Sequence, residues 1–423
     1  MTPYVISGAT LPSGERADLY IADGCFRDPA DVVGEVRRID ADGLIALPGL
    51  VDLHTHLREP GREDAETIES GTLAAARGGF TCVHAMANTE PVTDTAEEAE
   101  HVLEIAARDG HCQVVPIGAV SKQLEGVELA ELGMMARSKA RVRVFSDDGR
   151  CVADSLLMRR ALSYVTAFDG VIAQHSQDPR LAGAGACCHE SEISGRLGLP
   201  GWPAQAESVI VARDVQLAEL TGSRLHVCHV STAESVEVIR WAKARGVKVT
   251  AEATPHHLYL DTAEVIGYDT TYKVNPPLRT SEHIEAVRAA LADGTIDAVA
   301  TDHAPHTPQD KDHPFDVALP GMLGLEQALA VVIETMVKPG RLSWAEVAER
   351  MSHAPARIGQ LTTQGRPLAV GEPANLVLVD PQATAVVDRA QSASRSRNNP
   401  YHGRTLPNPV VTTIWAGQIT HQR

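Results

Sequence analysis

The sequence predicts an α/β protein: a (β/α)8 TIM-like barrel with a small β-sandwich domain built from both chain ends. Three observations carry that prediction. Short apolar runs alternate with amphipathic stretches through the middle of the chain, both ends are strand-like, and histidines and aspartates close several of the runs. Such alternation is the pattern of repeated βα units, and catalytic groups gather at the carboxyl ends of barrel strands. A doubly wound open sheet has the same local rhythm, and periodicity alone leaves it standing.

Residues 1–47 read as the first part of the β-sandwich domain, because from Tyr4 to Leu47 short strands are broken by Gly and Pro turns. Residues 48–364 read as the barrel. Its eight runs are Leu50–His56, Phe80–Met86, Gln113–Ala119, Arg141–Ser146, Gly170–His175, Arg224–Val230, Val247–Ala253 and Ala298–His303. Helical stretches between them include Ala96–Arg108, Glu207–Leu220, Glu234–Arg245 and His283–Leu291, while Leu325–Met336 would close the ring and Ser343–Met351 follows it. Thr95 with Glu98, and Ser231 with Glu234, have the spacing of capping boxes. Residues 365–423 return to strand character in Asn375–Asp380 and Val410–Ala416, so the two ends would pair as one domain. Gln391–Asn399, rich in Ser, Arg and Asn, reads as a solvated loop.

Composition narrows the function. Hydrophobic residues make up 43% and charged residues 22% of the 423, which argues against disorder, collagen-like repeats and coiled coil. No apolar stretch is long enough for a bilayer. Met1-Thr2-Pro3-Tyr4 lacks the basic and apolar regions of a secretory signal, so a cytoplasmic location is expected. The net charge of −17 opposes nonspecific nucleic-acid binding. It leaves an acidic metabolite open, since a bound dication and one aimed arginine can dominate a local field. The seven cysteines form no CxxC pair and read as free buried thiols. Cys228 reads as core, because strand alternation turns it away from the face of His229.

His54 and His56 stand two apart on the first run, so both side chains point to one face and can grip one metal ion. Asp147-Asp148, His175, His229 and Asp302 close four other runs. Any one of them alone reads as a hydrogen-bonded structural residue. Together they converge only if the runs form a barrel, and imidazole with carboxylate suits zinc.

The segments HTHLREPG at His54–Gly61, MANT at Met86–Thr89, FSDDG at Phe145–Gly149, HVCHVST at His226–Thr232, TPHHL at Thr254–Leu258, NPPLR at Asn275–Arg279 and ATDHAPH at Ala300–His306 resemble the dihydroorotase family, in its long bacterial type within the amidohydrolase superfamily. The resemblance covers nearly the whole chain. It implies a zinc-dependent hydrolase that reversibly closes N-carbamoyl-L-aspartate to L-dihydroorotate and water in de novo pyrimidine biosynthesis. It further implies that His54 and His56 bind one Zn2+, that His175 and His229 bind a second, and that Asp148 bridges them where many relatives carry a carboxylated lysine. Asp302 would complete the first site. Two Zn2+ per subunit are implied, with one as the alternative. Asp147 would hold its turn through backbone hydrogen bonds.

Zinc lowers the pKa of bound water from about 15.7 to about 7. On the resemblance, Asp302 is the catalytic residue that takes the proton of the attacking water and returns it to the departing ring nitrogen. Arg58 would hold the substrate carboxylate through its planar fork, with Asn88 and His306 around it. His56, Asn275, Pro320 and Gly321 match further substrate-contacting positions. Pro320-Gly321 stands where relatives often have Phe-Gly, and Met86-Ala87-Asn88 lacks a common proline. The polar stretch Thr307–Leu319 has the character of a closing loop, and His256-His257 reads as packing or support for ligands.

Two rivals remain at this level. Allantoinase or dihydropyrimidinase activity is disfavoured by Arg58, whose pairing needs a ring carboxylate. A noncatalytic scaffold for aspartate transcarbamoylase is disfavoured by the complete ligand set. The expected partner is a small-molecule substrate, with no nucleic acid and no membrane; a homo-oligomer and a complex with aspartate transcarbamoylase stay open.

Overall fold

A computed structural model describes residues 3–423; Met1 and Thr2, which belong to the expected 1–47 domain and to the terminus read above for a secretory signal, lie outside the described residues. Strands Leu50–Thr55, Phe80–Ala85, Gln113–Pro116, Val144–Phe145, Val171–Gln174, Arg224–Val227, Val249–Ala253 and Ala298–Val299 fall within the eight apolar runs. The ladders between successive strands are parallel. A Gly118↔Phe145 bridge joins the third strand to the fourth, and His303, just past the eighth, bridges Thr55 at the end of the first. Pairing therefore runs round all eight, whereas an open sheet would leave two unpaired edges. Most strands stop before the apolar runs do. His56, Asp148, His175, His229 and Asp302 consequently sit in the turns just beyond strand ends, where side chains can lean over the middle of the ring.

Helix Ala96–Asp109 begins at the expected residue with one half of the expected capping box, the Thr95 hydroxyl accepting the Glu98 N–H at 3.3 Å. It buries Ala99, Val102, Ile105 and Ala106, one stripe at helical spacing. The cap of Ala233–Ala244 lies one residue later than the sequence suggests: Thr232, not Ser231, accepts the Ser235 N–H. Ser231 is diverted because its hydroxyl donates to the buried Glu207 carboxylate. Leu325–Met336 and Ser343–Met351 are helical, but each widens into a π-type turn, at Ile333–Val337 and Glu349–His353.

The chain ends meet in one eight-stranded sheet. Its order is Gln418–Gln422, Val410–Trp415, Leu376–Val379, Ile45–Pro48, Tyr4–Thr10, Arg16–Ala22 and Cys25–Arg27, with Arg37–Asp40 also paired to Tyr4–Thr10. Period-two alternation divides its central strand between two cores. Leu376 and Leu378 pack with Ile6, Ile21, Phe26 and Ile414, while Val377 and Val379 join the large core that contains Leu47, Leu50 and Phe80. The sheet is thereby fixed against the ring.

The stretch 391–399 is not a solvated loop. Ser394, Ser396, Asn398 and Asn399 are buried, because internal partners satisfy their polar groups: Ser396 Oγ donates to Ala65 O at 2.7 Å, and Asn399 Nδ2 to Gln327 Oε1 at 2.8 Å. Turn-like composition here marks a hydrogen-bonded strap. All seven cysteines are free. Among the described residues no helix is long and apolar enough to cross a membrane.

Candidate metal centre and substrate cavity

The six expected metal ligands converge. His54, His56, Asp148 and Asp302 form one group of ligand atoms, and Asp148, His175 and His229 form another. Asp148 belongs to both through different oxygens. Its Oδ2 lies 3.2 Å from His54 Nε2 and 3.3 Å from His56 Nε2, while its Oδ1 lies 3.3 Å from both His175 Nδ1 and His229 Nε2. Asp302 Oδ1 is 3.2 Å from His56 Nε2 and 3.5 Å from His54 Nε2. Asp147, the first of the acidic pair, accepts the Val120 and Ser121 N–H groups at 2.8 and 2.9 Å, so it holds the turn.

The outer nitrogens are tied back. His54 Nδ1 pairs with Glu252 Oε1 at 2.8 Å, His56 Nδ1 with Asn88 Oδ1 at 2.9 Å and His175 Nε2 with Gln177 Oε1 at 2.8 Å. Each oxygen is an acceptor, so each outer nitrogen carries the proton and the inner one presents a lone pair. His54 Nε2 is buried without a hydrogen-bond partner, and His175 Nδ1 faces His229 Nε2 at 2.9 Å. Converging lone pairs and an orphaned buried nitrogen fit a divalent cation.

Electrostatics agree with that fit. Burial disfavours a charged His54, yet the Asp148 and Asp302 carboxylates drive its imidazole well above the ordinary histidine range. Burial likewise opposes ionisation of Asp148 and Asp302, yet the surrounding histidines hold both far below the carboxylate range. The site thus concentrates negative charge that calls for cations, and a metal would displace protons. Cys228 also lies near His54 and Glu252. Burial pushes its thiol up to about 12, and it packs with Met86, Ile117, Val144, Val171 and Ala173; it is core.

Beside the cluster opens a cavity of about 180 Å3, lined by His56, Arg58, Asn88, Asp148, Gly149, His175, Asn275, Asp302, Ala304, His306, Pro320 and Gly321. Every expected substrate-contacting residue is among them; Gly149 and Ala304 were not anticipated. Arg58 makes no ion pair with Glu59 or Glu63, which instead accept the N–H groups of Ile68 and Gly61. Its Nε donates to Pro305 O at 3.1 Å, which aims the rest of the fork into the cavity. Burial lowers this guanidinium to about 10, so it stays charged at neutral pH. Burial, then Arg58 and Lys311, push His306 down to about 3, leaving it neutral; its Nε2 donates to Pro320 O at 2.8 Å.

Asn275 donates from Nδ2 to Gln177 Oε1 at 2.7 Å, while its Oδ1 is buried and unpartnered. Gly321 serves by lacking a side chain. At φ +141° an added Cβ would lie 2.7 Å from His306 Nε2 and 2.9 Å from Ala304 Cβ, and the Gly321 N–H is already given to Lys273 O. Arg58, His229 and Asp302 hold φ values of 62°, 33° and 46°, a left-handed region that costs non-glycine residues about 1–3 kcal/mol each and clusters at functional sites.

Sequence reading missed several supporting residues. Glu252 bridges His54 and His226, at 2.8 and 2.9 Å; a lone carboxylate inside an apolar run was the available signal. Gln177 links His175 to Asn275, and nothing local marks it. His257, left without a specific role, contacts the carbonyls of Pro276 and Pro277 at 3.2 and 3.3 Å, supporting the loop that carries Asn275.

Two family models match the chain, one described as dihydro-orotase-like over residues 43–235 and one as the amidohydrolase family over residues 210–420. A dihydroorotase of Leifsonia xyli subsp. xyli is 59% identical over 99% of this chain and 95% of its own length. A dihydroorotase of Streptomyces coelicolor is 57% identical over 99% and 98%, and one of Mycobacterium tuberculosis 53% identical over 96% and 95%. Among solved structures, the L-hydantoinase (dihydropyrimidinase) from Arthrobacter aurescens superposes with a TM-score of 0.89 at 25% identity, covering 100% of this chain and 96% of that one.

Proposed function

We propose that this chain, which belongs to the dihydroorotase family of amidohydrolases, catalyses the reversible cyclisation of N-carbamoyl-L-aspartate to L-dihydroorotate and water in pyrimidine biosynthesis. One observation carries the reading: Asp148 turns a different oxygen to each of two histidine pairs, beside a cavity into which Arg58 reaches. The cofactor is Zn2+, two per subunit. His54, His56 and Asp302 would hold one ion and His175 and His229 the other, with Asp148 common to both groups.

When bound, the ions supply a water of low pKa and polarise the ring amide carbonyl. Asp302, which lines the cavity, accepts the proton of the attacking water and passes it to the departing ring nitrogen; closure reverses both transfers. Arg58 grips the substrate carboxylate, and the Asn88 amide and neutral His306 stand on either side of it. The unpartnered Asn275 Oδ1 accepts a substrate N–H. Pro320 and Gly321 shape the facing wall.

The eight-run ring is read as a (β/α)8 barrel over residues 48–364. The end-derived sheet, curled about its own core, is read as a β-sandwich domain of residues 1–47 and 365–423. The enzyme works in the cytoplasm on a small acid, apart from nucleic acid and membranes. Zinc-loaded protein assayed side by side with dihydroorotate, allantoin and dihydrouracil tests the central proposal. Turnover of dihydroorotate is expected, with loss in Asp302→Asn; preference for either neutral ring, or equal rates in that variant, overturns it.

A further inference from the structure

The strap 391–399 is held mainly at its own level. Arg395 N donates to Glu66 Oε1 at 2.9 Å and Ser396 Oγ to Ala65 O at 2.7 Å, contacts that do not reach the cavity wall. Asn398 does reach it. Its Nδ2 donates to Ala304 O at 2.9 Å and to Gly321 O at 3.1 Å, and its Oδ1 accepts the His306 N–H at 3.2 Å. All three partners line the substrate cavity. Ala304 and His306 come from the turn after the eighth strand, whereas Gly321 ends the polar stretch after it, so one buried amide fastens two separate segments together. Its backbone carbonyl also accepts the Leu323 N–H at 3.1 Å.

No other side-chain type fills this position. Two donors and one acceptor are required within one short planar group; a carboxylate lacks the donors, and a hydroxyl lacks the reach. The fit of the wall is tight, since Gly321 leaves no room for even a Cβ beside His306 and Ala304. Small displacements of either segment would therefore shift His306 against Arg58, whose Nη2 lies 3.5 Å from the His306 ring.

We propose that Asn398 is a positioning residue for substrate-carboxylate recognition, setting His306 and Gly321 in register with Arg58 from the far end of the chain. The proposal rests on the reading that this wall receives the carboxylate. It predicts a specific kinetic split. In zinc-loaded Asn398→Leu and Asn398→Ser, KM for dihydroorotate and for carbamoyl-aspartate rises about tenfold or more, as expected for loss of buried hydrogen bonds that orient a binding group. The metal cluster and Asp302 are untouched, so kcat stays within about threefold and zinc content is unchanged.

Ser396→Ala separates positioning from loosening of the strap. It removes an anchor that does not touch the cavity and is expected to lower Tm while keeping KM within about twofold. The proposal is overturned if whichever Asn398 variant is folded by its Tm keeps KM within twofold, if kcat falls while KM holds, or if Ser396→Ala raises KM as much. Absence of turnover in the parent enzyme would instead defeat the functional reading.

Discussion

Replacing Glu252 by glutamine isolates the charge behind His54, a proposed metal ligand. The carboxylate is fully buried, with Oε1 2.8 Å from His54 Nδ1, Oε2 2.9 Å from His226 Nε2, and the His229 N–H 3.4 Å from Oε1. Burial opposes its ionisation, yet hydrogen bonds from His226 and His54 hold it down to about 2. An amide of the same shape keeps the His54 contact if its oxygen faces Nδ1. His226 can then present a bare Nε2 to the amide nitrogen, because its Nδ1 has the Thr250 hydroxyl 2.9 Å away as an acceptor. What is lost is the negative charge that makes His54 a stronger donor to metal. Loss of such an outer partner costs 10- to 100-fold in metal affinity, roughly 1.4–2.7 kcal/mol, and the retained geometry puts Glu252→Gln near the low end. Apo-protein titrated with zinc against a competing chelator, with activity followed in parallel, measures it. Affinity and kcat both within twofold of the parent would refute an orienting role for Glu252.

Arg58→Met removes a charge-assisted fork worth about 1.5–3 kcal/mol, so kcat/KM for dihydroorotate falls by roughly 10- to 100-fold, while Arg58→Lys falls less because charge survives without planarity; equal rates for all three in steady-state assays would remove Arg58 from recognition. Ring closure takes up a proton, so between pH 6 and 8 the equilibrium ratio of dihydroorotate to carbamoyl-aspartate rises about tenfold for each unit the pH falls; chromatography of equilibrated mixtures reads it, and a flat ratio contradicts the assigned reaction. Metal bound only by the folded state stabilises by about 2.7 kcal/mol at a hundredfold excess over Kd. Chelation should accordingly lower Tm by several degrees, and zinc should restore it in the parent but less in His54→Ala.

The strands and the converging histidine–aspartate cluster were legible because their signals are local. Apolar runs mark strands by periodicity, and His54 with His56 declares a shared face within three residues. Supporting groups were not, because their meaning is a distance across the fold. Gln177 is an ordinary loop residue until Asn275 arrives 98 positions later. The strap misled for the same reason: Ser394, Ser396 and Asn398 have turn chemistry, and only the far loops at Ala65, Glu66 and Ala304 turn that chemistry into buried hydrogen bonds. The capping role that spacing suggested for Ser231 falls to Thr232, while the Ser231 hydroxyl donates to the buried Glu207 carboxylate, a partner 24 positions away that no local pattern marks.

Charge balance explains how a chain of net charge −17 receives an acidic substrate. The surface sum is screened beyond about a Debye length, whereas the cavity sees its own buried groups. Asp148, Asp302 and Glu252 each contribute one negative charge: burial opposes their ionisation, and the neighbouring histidines keep all three ionised. On the proposed two-zinc reading, the two dications would outweigh those carboxylates by one positive charge, and Arg58 would add another. That surplus would be opposite in sign and equal in size to the charge of carbamoyl-aspartate, which carries two carboxylates. A single dication would leave no surplus over those three carboxylates even with Arg58 counted, so a dianion would regain less of its lost hydration in the cavity. On that reading, the orientation of Asp148, with one oxygen for each histidine pair, would serve substrate binding as well as water activation, because it would let both ions share one carboxylate.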